Sequence, residues 1–161
     1  KMLEKQKDLS SYNKNQFSQA KGLKIGIVKS RWNKNITNNL FEGAYNTLID
    51  CGINKKDIIK YEVPGSFELI FGAMSIYKQN VDAIICLGSV IKGDTKHFDF
   101  ICNAVANGIK DLNIKLEIPV IFGVLTDNNL QQAIDRSGGK NGNKGVEAAV
   151  TALEMAILNK R

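Results

Sequence analysis

The stretch Val81–Phe100, VDAIICLGSVIKGDTKHFDF, decides the fold. Its first part, Val81 to Leu87, is strongly apolar, which is typical of a buried strand. From Phe98 onward apolar residues recur every three or four positions, which indicates an amphipathic helix; they are Phe98, Ile101, Val105, Ile109 and Leu112. The turn between them, from Gly88, holds two glycines, an acid, two hydroxyls and the only histidine of the chain. Because α/β folds bind ligands at the carboxyl ends of strands, we expect chemistry in this turn.

Outward from this stretch, three other apolar runs predict strands. They are Leu23–Ser30, Ile58–Val63 and Pro119–Thr126, beside Val81–Ile91 itself. The run at Pro119–Thr126 is unbroken in its apolar character, so we expect it to be buried on both faces.

Helices are predicted between the strands. Four apolar residues at i+4 spacing follow the first strand, and Gly52 stands where a C-cap glycine belongs; the four are Ile36, Leu40, Ala44 and Leu48. Ser66 is expected to cap a second helix, with one apolar face made of Phe67, Ile70, Met74 and Tyr77. A short helix is expected within 127–137, a glycine-rich loop at Gly138–Gly145, and a last helix at Val146–Leu158.

Strand and helix thus alternate four times. This predicts an α/β three-layer sandwich, flavodoxin-like, with a four-stranded parallel sheet and helices on both faces. Residues 1–22 are polar and predict an N-terminal arm, so that 23–161 form a single domain.

The composition narrows the class of protein. The net charge of +6 over 161 residues favours anionic ligands. Basic residues form no blocks and are not interleaved with aromatics, so nucleic-acid binding is not supported. No apolar run reaches the length of a membrane span, and the N-terminus lacks the apolar stretch of a signal peptide. The odd number of cysteines, all in apolar segments, predicts reduced core thiols in a cytoplasmic protein.

His97 is expected at or just inside the start of the helix after the central turn. The positive end of a helix favours a neutral imidazole, which can accept a proton. An ordinary capping histidine is the alternative. Just before it, Gly93, Asp94 and Thr95 offer free backbone N–H groups that suit an anion, or else form a plain capped turn.

Three more loops end at the same predicted edge of the sheet. Trp32 and Asn33 follow the first strand, where an indole stacks on a planar ring and an amide binds its edge; the alternative is that Trp32 only covers the sheet end. Polar and aromatic residues after the second strand carry the same two readings, namely Ser66, Phe67 and Glu68.

Arg136 and Lys144 flank the glycine-rich loop and offer fixed positive charge for a phosphate, although most such side chains are only solvated. The four loops converge. Together they predict a pocket for a planar polar ring and a phosphate.

Five motifs resemble the lumazine synthase (6,7-dimethyl-8-ribityllumazine synthase) family, collinear from about Leu23 to Leu158. They are WN after the first strand, VPGSFE at Val63–Glu68, LGSVIKGDTKHFDF at Leu87–Phe100, PVIFGVLT at Pro119–Thr126, and DRSGGKNGNKGVEAA at Asp135–Ala149.

The resemblance implies condensation of 5-amino-6-(D-ribitylamino)uracil with 3,4-dihydroxy-2-butanone 4-phosphate, without metal or organic cofactor. It makes His97 the proton-transfer residue. It implies the following binding residues: Trp32 stacking on the pyrimidine with Asn33 beside it; Ser66, Phe67 and Glu68 on the ribityl chain; the backbone of Ser89, Val90 and Ile91 on the uracil edge; Asp94 and Thr95 in the phosphate turn; Arg136 on the phosphate; and Phe122 and Lys144 in the pocket.

The resemblance also implies assembly. Family pockets lie between adjacent subunits of a pentamer, with Phe122 and Arg136 donated across the interface, and the N-terminal arm adds a strand to a neighbour. The short loop GGKNGNKG resembles members that build an icosahedral shell. Two other hypotheses are a non-enzymatic flavin- or nucleotide-binding module of flavodoxin-like architecture, and a shell protein whose site has decayed.

Overall fold

A computed structural model describes residues 10–161, and the predicted sheet is present in it. Its four strands are β1 (Ile25–Ser30), β2 (Ile58–Val63), β3 (Ala83–Ile91) and β4 (Val120–Asp127). All pair in parallel, in the order β2-β1-β3-β4. The strands begin and end within two residues of their predicted bounds, because a Gly, Pro or polar turn residue follows each apolar run. The order adds what the sequence does not state, namely that β1 and β3 are neighbours at the centre.

Helices cover both faces, as predicted for the three-layer sandwich. They are α1 (Lys34–Asp50), α2 (Leu69–Tyr77), α3 (His97–Lys115), the short α4 (Leu130–Asp135) and α5 (Lys144–Asn159). From β1 the chain crosses outward to β2, and it then returns past β1 to β3 and on to β4. Because the crossovers are right-handed, this reversal of direction places α2 and α3 on one face and α1 on the other. Helix α5 returns to the face of α1.

Each face has its own core. One contains Ile27 and Ile85 of the sheet with residues of α1 and α5, and the other contains Val28 and Ile84 with residues of α2 and α3. This alternation follows from the period of two in a strand. The predicted face of α1 is confirmed, because Ile36, Leu40, Ala44 and Leu48 are all buried.

Helix α5 presents small residues to the core, among them Ala148, Ala149 and Ala152. Gly145, in its first turn, lies so close to α1 that a Cβ there would clash with the carbonyl oxygen of Leu40. The small residues therefore allow two helix backbones to approach each other on one face of the sheet.

The predicted face of the second helix is wrong. Ser66 does not cap a regular helix; it opens a 3-10 turn, Ser66–Glu68, and the Gly65 amide donates to Glu68 Oε2 at 3.1 Å. Helix α2 buries Leu69, Gly72, Ala73 and Ile76. Phe67 is 58% exposed and Phe71 is 75% exposed. Because this segment is apolar on nearly every side, periodicity does not identify the face that packs on the sheet.

Two other expectations need correction. The glycine-rich segment Gly138–Gly145 is not wholly a loop: it contains an antiparallel hairpin of β5 (Ser137–Gly139) and β6 (Gly142–Asn143), and α5 begins at Lys144. Gly138 and Gly142 have positive φ, which allows the tight reversal. Of the three cysteines, Cys51 and Cys86 are buried as expected, but Cys102 is only half-buried.

Part of the predicted arm packs on its own domain. Residues Lys14–Ala20 form a 3-10 helix whose Phe17 is buried in the core beneath α5. Tyr12 donates to Asp50 Oδ2 at 2.7 Å, which anchors the segment to the end of α1. Residues 1–9 lie outside the described part, so the division into arm and domain stays a prediction. Among residues 10–161, no helix is long and apolar enough to cross a membrane.

Candidate active site

A cleft of about 440 Å³ lies at the carboxyl edge of the sheet. It contains eight of the fourteen residues predicted for the site: Trp32, Ser66, Phe67, Glu68, Ser89, Val90, Ile91 and His97. Three other residues line it, namely Pro64, Gly65 and Ile101. Loops after three different strands therefore converge as predicted.

The cleft opens where β1 and β3 part. Their pairing ends at Lys29 with Leu87, whereas β3 continues along β4 as far as Ile91 with Asp127. Peptide groups on the β1 side of β3 beyond Leu87 therefore have no strand partner there. The connections that follow β1 and β3 leave toward opposite faces of the sheet. A gap between two such neighbouring strands is the usual ligand position in an open α/β sheet.

The loop after β1 is held on both sides. The amides of Arg31 and Trp32 donate to the carbonyls of Val63 and Pro64 at 2.8 and 3.0 Å. Asn33 adopts a left-handed conformation, φ 57°, and its Nδ2 donates to the Ser89 carbonyl at 2.9 Å. The Asn33 amide thus bridges the gap between β1 and β3.

Trp32 does not cover the end of the sheet. Its side chain is 72% exposed and lies at the rim of the cleft. The backbone bonds of its loop fix where the indole stands, while its ring face is open. This arrangement suits stacking on a planar ring.

His97 is the first residue of α3, where the sequence predicts it. Its backbone amide donates to Thr95 Oγ1 at 3.4 Å, so Thr95 helps to close the turn before the helix. The imidazole is exposed and lines the cleft. Asp94 and Thr95 are exposed next to it but do not line the cleft.

The structure does not bring the remaining predicted residues into this cleft. Phe122 lies on β4 against the core beneath α3. Arg136 follows α4, and Lys144 opens α5 with its Nζ 3.9 Å from Glu147 Oε1. In one chain, neither cationic group predicted to bind phosphate lines the cleft that contains His97.

Two buried polar residues at this edge were not predicted from sequence. Ser30 ends β1 and Asp127 ends β4; Ser30 Oγ and Asp127 Oδ2 have no hydrogen-bond partner among the described residues. Asp127 is 5% exposed. Burial raises the pKa of the Asp127 carboxyl above its ordinary value of 3.8, and the charge of Arg136 partly offsets this. Their signal in the sequence is a polar residue closing an apolar strand.

The thiols are not suited to be nucleophiles. None lines the cleft, and burial raises the pKa of Cys51 to about 11 and that of Cys86 to about 12. Such thiols remain protonated at neutral pH.

A slightly larger groove, about 500 Å³, lies at the opposite edge of the sheet between α3 and α5. Its amides serve the fold: Asn113 bonds to Val120 and Ile109, and Asn159 bonds to the Glu117 carbonyl. Among the lining residues that the structure describes, Glu117 alone is titratable. The convergent chemistry therefore lies in the smaller cleft.

Fold and site together define a class: a flavodoxin-like α/β protein with a ligand cleft at the point where the strand order reverses. Comparison with known proteins makes the class specific. The family model of 6,7-dimethyl-8-ribityllumazine synthase matches residues 22–160. The chain is 55% identical over 161 residues to the 6,7-dimethyl-8-ribityllumazine synthase of Flavobacterium johnsoniae, covering 99% of this chain and 85% of that protein.

Other relatives agree. The 6,7-dimethyl-8-ribityllumazine synthase of Christiangramia forsetii is 53% identical, covering 95% of this chain and 92% of that protein. That of Cytophaga hutchinsonii is 55% identical, covering 92% and 94%. The chain belongs to the 6,7-dimethyl-8-ribityllumazine synthase family, whose members are transferases of riboflavin biosynthesis. The resemblance seen in the sequence is confirmed, and a non-enzymatic binding module is not favoured.

The raised pKa of Asp127 predicts a pH-dependent effect of Asp127→Asn. A carboxyl whose pKa is raised on folding stabilises the native state most below its unfolded pKa, and this contribution is lost as pH rises through the folded pKa. The free energy of unfolding of Asp127→Asn relative to wild type should therefore increase as pH rises above about 3.8. Urea titrations at a series of pH values measure it.

Asp111→Asn is the control, because it removes an exposed carboxylate of α3. A relative stability of Asp127→Asn that stays constant or falls with pH would contradict the assigned direction.

Proposed function

We propose that this chain condenses 5-amino-6-(D-ribitylamino)uracil with 3,4-dihydroxy-2-butanone 4-phosphate to 6,7-dimethyl-8-ribityllumazine, releasing phosphate and water. The observation that carries the proposal is the position of His97, which opens α3 in the same cleft as Trp32 and Ser66. Family membership supplies the reaction. The cleft supplies an aromatic face, hydroxyls and a group that moves protons.

In this proposal Trp32 stacks on the pyrimidine, since its ring is open at the cleft rim. The backbone of Ser89, Val90 and Ile91 binds the uracil edge, because β1 has already parted from β3 at these residues. Asn33 acts by holding the loop of Trp32 against the Ser89 carbonyl. Two substrates held next to each other react as in one molecule, which contributes much of the acceleration.

The ribityl chain is assigned to the turn after β2. Ser66 lies at the floor of the cleft and Glu68 at its rim, held by the Gly65 amide. Phe67 adds an apolar wall. A chain of hydroxyls suits this mixture, because each hydroxyl donates one hydrogen bond and accepts others.

His97 is assigned the proton transfers. The amine loses protons as it forms an imine with the ketone, whose oxygen leaves as water; phosphate is then eliminated, and ring closure expels a second water. A neutral imidazole accepts and returns protons in these steps, which contributes about 10²- to 10⁴-fold. These reaction steps require no metal or organic cofactor.

The phosphate is assigned to the turn of Asp94 and Thr95 and to Arg136, with Phe122 and Lys144 completing the pocket. Arg136 and Phe122 do not line the cleft of their own chain. We therefore propose that an adjacent subunit of a pentamer donates them. Exposed aromatic side chains near the cleft support an interface there, because monomers rarely expose such patches; they are Trp32, Phe67, Phe71 and Phe100.

We further propose that 23–161 are the single domain and that residues 1–22 are an arm, of which the part before the docked 3-10 helix lies on a neighbour. The segment between α4 and α5 is short, only the β5–β6 hairpin, as in family members that form icosahedral shells. The three free thiols fit a reducing cytoplasm.

Replacing His97 tests the reaction. The wild type should form the fluorescent lumazine from the two substrates, and His97→Ala should reduce kcat by about 10²-fold or more, since proton transfer is lost. The measurement is product fluorescence, with the oligomeric state of both proteins matched. Equal rates would remove His97 from its role, and no product from a well-folded wild type would refute the proposed function.

A mixing experiment tests the shared site. His97→Ala and Arg136→Ala should each be nearly inactive alone. Co-expressed in equal amounts, they should recover about a quarter of the wild-type activity, because an intact site then needs a His97 donor beside an Arg136 donor. No recovery in verified mixed oligomers would place both residues in one subunit's site.

Small-angle scattering tests the assembly. We expect a hollow shell built from pentamers, since the connection between α4 and α5 is short. Profiles that show only pentamers at several pH values and phosphate concentrations would contradict the shell, while leaving the pentamer in place.

A further inference from the structure

Ser30 is a buried hydroxyl that the fold itself does not use. Its side chain is fully buried, and its Oγ has no partner among the described residues. Most buried hydroxyls are hydrogen-bonded, because an unmade bond costs free energy. An unpaired hydroxyl beside a ligand cleft therefore calls for a partner that becomes available on binding.

One candidate for this partner is Ser66, whose hydroxyl lies on the same side of β3. Gly88 of β3 faces α2, and a Cβ placed there would lie 2.5 Å from Ser66 Oγ and 3.4 Å from Ser30 Oγ. Both hydroxyl oxygens thus lie against the same point of the sheet, although they do not form a hydrogen bond with each other here. Ser66 lines the cleft, whereas Ser30 does not.

We propose that Ser30 is a positioning residue: it donates a hydrogen bond to Ser66 Oγ when a polyol chain occupies the cleft, so that Ser66 directs its own O–H at a ligand hydroxyl. Rotation about χ1, which has three staggered positions, changes where a serine hydroxyl points, and the proposed bond forms by such a rotation. Successive hydroxyls in such a chain also strengthen one another. The inference rests on the proposed function for the identity of the ligand.

The missing side chain of Gly88 makes the approach of Ser30 and Ser66 possible. Because it has no Cβ, Ser66 and Ser30 can both approach β3, and Leu69 Cδ1 would lie only 3.1 Å from an added Cβ. The leucine closes the space on the side of α2. The two hydroxyls therefore lie at the same glycine, next to an apolar group of α2.

The test compares two ligands with four proteins. The ligands are 6,7-dimethyl-8-ribityllumazine and 6,7,8-trimethyllumazine, which lacks the ribityl chain. The proteins are wild type, Ser30→Ala, Ser66→Ala and the double variant, with Kd measured by fluorescence titration. Ser30→Ala should weaken the ribityl ligand about three- to tenfold, the effect of one neutral hydrogen bond, and leave trimethyllumazine unchanged.

The double variant is decisive. If Ser30 acts through Ser66, adding Ser30→Ala to Ser66→Ala should weaken ribityl binding no further. In turnover, Ser30→Ala should raise KM for the ribityl substrate with kcat changed less than about twofold, since the chemistry is elsewhere. Thr47→Val is the control, because it removes another buried hydroxyl, bonded to the Gly43 carbonyl 2.7 Å away on α1.

Equal weakening of both ligands, independent losses in the double variant, or no effect of Ser30→Ala would each overturn the inference. Ribityl binding with the expected coupling but no lumazine formation would leave it standing and refute the proposed reaction alone. Failure of the folded wild type to bind the ribityl ligand would refute both.

Discussion

The site depends on where β1 and β3 stop pairing. They are hydrogen-bonded from Ile25 with Ala83 to Lys29 with Leu87, and then β3 runs on with β4 alone. Had the pairing continued, the peptide groups of Ser89 and Ile91 that face β1 would form hydrogen bonds within the sheet and could not bind a ligand. Their separation leaves a gap with open backbone at the centre of the sheet, and Asn33 crosses it with a single hydrogen bond to the Ser89 carbonyl.

The remaining parts of the site are consequences of that gap. The chain crosses from β1 to β2 on one face of the sheet and from β3 to β4 on the other face. The loops that follow β1 and β3 therefore diverge at the opening. The turn after β2 comes in from the side because β2 pairs with β1 as far as Ser30 with Val63. The helix α3 then begins directly at the opening, with His97 as its first residue. An aromatic ring, a hydroxyl and an imidazole reach one cleft from three separate loops.

Much of this was predictable from sequence. Alternating apolar runs and helical periodicity predict the four strands, the parallel sheet and the faces of α1 and α3, because burial on each face requires those patterns. They do not predict strand order. They also fail for α2, where Phe71 and Met74 are apolar yet remain exposed while Ala73 and Gly72 pack inside. Sequence shows that a residue is apolar; it does not show which surface covers it.

The polar residues divide in the same way. The roles of His97, Trp32 and Ser66 can be predicted from the sequence because these residues lie in or next to the turns after strands, where side chains face a ligand. Ser30 and Asp127 are the last residues of their strands, so they read as part of the strand or as a helix cap. Only packing shows that both are buried with an unpaired oxygen. Predictions from spacing therefore find the groups that touch a ligand more readily than those that act through a neighbour.

The exposed rim of the cleft also bears on catalysis. Trp32 and Phe67 are apolar surfaces in water, and His97 is exposed beside them. Charges that develop during proton transfer are stabilised weakly in bulk water and more strongly where water is excluded. A neighbouring subunit seated on these aromatic residues would exclude water from His97 and bring Arg136 to the phosphate at the same time. In such an arrangement the exposed apolar rim and the position of Arg136 outside the cleft have the same explanation. Folding of one chain builds half of the site, and assembly builds the other half.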